Sequence, residues 1–147
     1  MHETREQFLA GDRPDDVLIF FSETAVERLD RLAEVGESVS GGVVLVLAAE
    51  KGRTAFQQAT DVDPMSLAGS AMGVEGEIAP DCTGGDCPAV VDEGEQSAVH
   101  DPRFIFAFAE AQNEEVGDLY AEGDVIHAYA LCECGTAYSQ KWVAGER

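Results

Sequence analysis

The stretch DDVLIFFSETAVERLDRLAEVGESVSGGVVLVLA, residues 15–48, decides how the chain is read. Val17 through Phe21 is an unbroken apolar run behind the turn signal Pro14-Asp15-Asp16, the pattern of a strand covered on both faces. A helix is expected next. Ser22 or Thr24 caps it, Thr24 and Glu27 have capping-box spacing, and Val26, Leu29, Leu32 and Ala33 form one apolar stripe closed by Gly36. After Ser40-Gly41-Gly42, the run Val43 to Ala48 reads as a second apolar strand. Strand, helix, strand in that order predicts a parallel βαβ unit with a right-handed crossover.

Working outward, residues 4 to 10 form a short helical lead-in that ends at Gly11. A helix over Thr54 to Ala59 is expected, then another from Pro64 to about Met72 with Asp63 as its cap. Periodicity then disappears, and a long irregular acidic loop is expected over about 73–101. Phe104, Phe106 and Phe108 share one face if the next segment is a strand, although 104–120 also admits a helical reading. Val125 to Leu131 and Ala137 to Val143 read as an antiparallel hairpin joined through Cys132-Glu133-Cys134-Gly135-Thr136. The expected fold is a single domain over 1–147 in the α/β (or α+β) class. It has a mixed sheet of about five strands, an N-terminal parallel βαβ unit, a C-terminal antiparallel hairpin and two to three helices.

Charge is the unusual property. The chain of 147 residues has 29 Asp and Glu against 9 Lys and Arg, a formal net charge of −20, with the acids spread from Glu3 to Glu146. Self-repulsion on that scale opposes compaction in dilute buffer, and molar salt shortens the Debye length to about 3 Å and screens it. The composition therefore points to a halophilic cytoplasmic protein. It argues against direct nucleic-acid binding through a basic patch. No apolar run approaches the ~20 residues of a membrane span, and Met1 to Glu6 has no apolar signal core. In a reducing cytoplasm the cysteines are expected as thiols or metal ligands.

Four cysteines stand as Cys82-x4-Cys87 and, after a wide gap, Cys132-x-Cys134-Gly135. Two distant pairs, each on a turn, are how a structural Zn²⁺ site is assembled, and all four are candidate ligands. Neither pair has the common C-x2-C spacing. In a regular strand a C-x-C pair holds its Cβ atoms about 7 Å apart, too far for one zinc, so Cys132 and Cys134 must lie on a bend. His127 falls on the opposite strand face from Cys132 and reads as a satisfied, partly buried histidine, whereas His100 could replace one cysteine. Two other readings stay open: unrelated semi-buried thiols, and a redox dithiol.

The second candidate is an anion site at the expected helix starts, formed by Ser22 and Thr24 at one and Lys51, Arg53 and Thr54 at the other. Plain capping and local pairing with acids is the simpler account. P-loop, GxGxxG, GxSxG, HExxH and EF-hand patterns are all absent. Trp142, Tyr129 and Tyr138 are expected to pack the hairpin.

Arg13-Pro14-Asp15-Asp16-Val17, Thr83 to Pro88, Phe104 to Glu115 and the segment His127 to Tyr138 together resemble an uncharacterised family of short haloarchaeal proteins, a domain of unknown function. The resemblance implies a halophilic archaeal origin and a stand-alone domain, and it brings no catalytic residues. The expected function is a non-enzymatic accessory or protein-binding module with a zinc site, its partner another protein or assembly. The alternatives are an anion- or phosphate-binding enzyme using the Lys51–Thr54 turn and a thiol redox protein.

Overall fold

A computed structural model describes residues 3–11, 15–22, 36–39, 42–79, 82, 84–86, 102–110, 115, 123–132 and 135–144. Its elements are α1 (Glu3–Leu9), β1 (Asp16–Ser22), β2 (Glu37–Val39), β3 (Gly42–Ala48), α2 (Ala49–Thr60), α3 (Pro64–Ala71), β4 (Glu77–Ile78), β5 (Gly85–Asp86), β6 (Pro102–Glu110), β7 (Val125–Cys132) and β8 (Ala137–Val143). Six strands form one sheet in the order β2-β3-β1-β6-β7-β8, and β4 and β5 form a separate two-stranded pair.

Every strand pairing in the large sheet is antiparallel. This overturns the expected parallel βαβ unit and the mixed α/β sheet of about five strands. β1 runs antiparallel to β3, with Asp16 opposite Ala48 and Ser22 opposite Gly42. The reversal comes from β2, which pairs antiparallel with β3, Val39 opposite Gly42, so that β3 returns between β2 and β1. An apolar run reports that both faces of a strand are covered. It carries no information about the strand's direction. The helix expected over 22–36, including its Thr24 cap, lies outside the described residues.

Alternation divides the strand residues between two cores. Val17, Ile19, Phe21, Val43, Leu45, Phe104, Phe106 and Tyr129 face α2 and α3, where Phe56, Leu67 and Ala71 complete the cluster. Phe56 is its hub, edge-on to Phe104 at 5.1 Å and to Phe106 at 5.3 Å between ring centroids. On the opposite face, Leu18, Phe20, Ile105, Ile126, Ala128 and Ala130 meet Phe8 of α1, together with Ile78 and Cys82. The sheet is thus covered on both sides, which is why its central strands are apolar throughout.

Local signals explain the helices. Asp63 caps α3 with Oδ1 accepting from the Met65 amide at 3.2 Å, and Pro64 takes the first turn, as expected. α2 is longer than expected, and it ends at Asp61, in the left-handed region at φ 59°, with the Asp61 amide donating to the Gln57 carbonyl at 2.8 Å. Residues 104–110 are strand, as the three-phenylalanine face required, and the C-terminal hairpin occupies the expected residues.

The 73–101 segment is partly structured. Beyond α3 the chain lies along edge strand β8: the Ser139 amide donates to the Val74 carbonyl at 2.8 Å, and the Gly76 amide to the Ser139 carbonyl at 3.0 Å. Ile78 then donates its amide to Gln140 Oε1 at 2.6 Å as β4 reaches the α1 side of the sheet. This strap covers part of an edge that would otherwise expose ladder groups. Residues 87–101 lie outside the described residues.

Candidate functional site

The strap brings Cys82 into the buried cluster on the α1 face of the sheet that also holds Cys132. Cys82 sits in the β4–β5 turn, its amide donating to the Ala79 carbonyl and the Ala79 amide to the Gly84 carbonyl, each at 2.8 Å. Its backbone is left-handed, φ 62°, an uncommon conformation for a non-glycine residue. Cys132 ends β7 at the β7–β8 turn, where its amide donates to the Thr136 carbonyl and its carbonyl accepts from the Gly135 amide, both at 2.9 Å. Gly135 has φ 96°, a left-handed conformation that glycine adopts without strain, and Cys134 lies outside the described residues.

Both sulfur-bearing residues are fully buried and belong to the same apolar cluster as Ile78, Ala130 and Tyr138. Cys87, Cys134 and His100 lie outside the described residues. Among the described residues no three His, Cys, Asp or Glu side chains converge on a common point. Tyr138 and Trp142 are buried in this cluster, as hairpin packing required, and Tyr129 is buried on the other face.

Of the anion-site candidates Thr24 lies outside the described residues, and Ser22 is separated from Lys51, Arg53 and Thr54 by the length of β1. Ser22 is buried at one end of β1, and α2 starts at the other end, beside Asp16 and Ala48. Lys51, Arg53 and Thr54 lie within α2 instead of on a turn before it, and Thr54 Oγ1 donates back to the Glu50 carbonyl at 3.1 Å. Gly52, read as part of that turn, is the buried contact of α2 with the sheet: a Cβ there would collide with Val17 Cγ2. A shallow hollow of about 290 Å³ is lined by Glu50, Lys51, Thr54, Ala55 and Gln58.

A different site was not foreseen. An open cleft of about 810 Å³ lies between the strap and the end of the β7–β8 hairpin, lined by Met72, Glu75 and Glu77 on one side and His127, Tyr129 and Lys141 on the other. His127 Nε2 meets Glu110 Oε1 at 2.8 Å, and its ring stacks on Phe108 with centroids 5.1 Å apart. The histidine is therefore satisfied and partly buried, as its position on the face opposite Cys132 implied. Burial lowers its pKa below the ordinary 6.5; the hydrogen bond and charge of Glu110 act the other way, and Lys141 adds to the lowering. The ring is held neutral near pH 7. The hairpin register placed His127 opposite Lys141, but nothing in residues 72–77 announced that they would close a cleft over it.

Among the described residues no helix is long and apolar enough to cross a membrane. No curated protein and no solved structure matches the chain. A family model does match, over residues 36–145, which span β2 through the β8 hairpin and both cysteine-bearing turns, and the chain belongs to that family of unknown function, DUF5807.

Proposed function

We propose that the protein is a non-enzymatic accessory module of a salt-rich cytoplasm, stapled by Zn²⁺ at its hairpin end and presenting that end to another protein or assembly. The observation that carries this reading is the burial of Cys82 and Cys132, fifty positions apart in sequence, in one cluster, each on a tight turn. Cys87 follows β5 directly and Cys134 falls two residues after Cys132, so each buried thiol has a second cysteine close along the chain. An apolar surrounding disfavours a bare thiolate, and a metal ion removes that cost. A zinc so held adds its binding energy to the fold.

Metal analysis of protein purified in concentrated KCl tests the proposal. One zinc per chain is expected, lost in Cys132→Ser, with a chelator lowering the melting temperature. A metal-free protein that forms a reversible disulfide would replace the staple with redox chemistry. Protection of the fold by inorganic phosphate, removed by changing Lys51 and Arg53 to Met, would favour the anion-binding alternative.

A further inference from the structure

Residues 64–74, Pro-Met-Ser-Leu-Ala-Gly-Ser-Ala-Met-Gly-Val, carry no ionisable side chain in a chain of which 26% is charged. They are not an interior segment. α3 buries Pro64, Leu67 and Ala71 against the sheet and turns the rest outward, leaving Met65 54%, Met72 67% and Val74 37% exposed. These three are the exposed large hydrophobic residues among those described. Met65, Gly69 and Met72 recur at i, i+4 and i+7 and so make one outward stripe. Gly52 is a glycine because its own fold leaves no room for a side chain; Gly69 has no such reason. A Cβ at Gly69 would meet nothing within 4 Å, and glycine inside a helix is less stable than alanine.

We propose that this face binds a second copy of the chain, α3 packing antiparallel on α3 about a twofold axis at Gly69. Charge and spacing select that occupant. A twofold contact sets a surface against itself, so like charges on it would repel. Across an uncharged stripe, two molecules of −20 meet with less repulsion than across the acidic remainder, and molar salt screens what is left. The spacing is self-matching as well. About an axis at Gly69, Met65 of one copy lies within one residue, about 1.5 Å of rise, of the level of Met72 of the other, at both ends of the contact. Gly69 then faces Gly69. The missing side chains let the two backbones approach until the methionines lie across Ser66, Ser70 and Gly73 of the other helix. Size sets the strength. Eleven residues a side is about half of a standard stable interface, which has about 20–30, so the dimer is weak and forms at high protein concentration.

Static light scattering over a protein concentration series in concentrated KCl tests the proposal. The mass is expected to climb reversibly from one chain to two, with a dissociation constant of about 0.1 mM that tightens as KCl is raised through the molar range. Met65→Gln with Met72→Gln should weaken the dimer at least about tenfold. Gly69→Leu separates this contact from indiscriminate stickiness. It places a better helix former, and more apolar surface, at a position that is open in the monomer, so the monomer should melt at a higher temperature. The dimer should nevertheless weaken at least about tenfold, because two leucines then meet on the axis. A monomer up to about 1 mM, growth beyond two chains, or association that either variant leaves unchanged or tightens overturns the proposal. The readout is independent of zinc content, since α3 and the cysteine cluster lie on opposite faces of the sheet.

Discussion

Arg5 on α1 is only 5% exposed, and its Nη2 donates to Glu37 Oε2 of β2 at 2.8 Å, while Nε and Nη1 have no hydrogen-bond partner among the described residues. This pair ties the edge strand β2 to the helix. Removing one partner strands a buried charge, so Glu37→Ala should destabilise the protein by about 3–5 kcal/mol, whereas the joint exchange Arg5→Met with Glu37→Leu should recover most of that loss. Urea unfolding in concentrated KCl reads both, and equal losses in the single and joint variants would deny the pair its role. His127 makes a prediction in pH. Its pKa is lowered in the folded state, chiefly by burial, so the unfolded chain takes up the proton first as pH falls. Stability from this residue is present above the ordinary value of 6.5 and is lost as pH drops below it and through the folded value. Melting curves between pH 5 and 8 should show that slope, and His127→Gln should flatten it.

Gly52 shows how an element is placed by a single close approach. It brings α2 onto β1 with no room for a side chain against Val17. Alanine in mid-helix usually adds about 0.5–1 kcal/mol over glycine, yet overpacking typically costs about 1–3 kcal/mol. The contact should win, making Gly52→Ala net destabilising, and a raised melting temperature would show that the helix simply slides away. The elements legible in the sequence are those with strong local signals: the Asp63-Pro64 start of α3, the three-phenylalanine face of β6 and the alternating hairpin β7–β8. β2, β4 and β5 have three, two and two residues, too short for any periodicity. They are strands because a partner edge is beside them.

At the scale of the whole molecule, charge dominates. With 29 acids against 9 bases, compaction concentrates like charge, and salt relieves it. The melting temperature should rise by on the order of 10 °C between dilute buffer and molar KCl, which corresponds to a few kcal/mol in a domain of this size. Scanning calorimetry across a KCl series checks this, and a flat response would remove the salt-adapted reading. The buried Arg5–Glu37 pair is shielded from solvent and should contribute little to that salt dependence.

The amino-acid sequence alone determined the acidity, the apolar strands, the α3 cap and the β7–β8 hairpin, because each depends on residues close together in the chain. Strand direction, the β2 and β4–β5 pairings, the meeting of Cys82 with the Cys132 cluster and the cleft over His127 were decided only in three dimensions. Those features depend on which edge a segment finds and which face it crosses to. Hydrophobic patterning is blind to both, since a strand buried on two sides looks the same whichever way it runs.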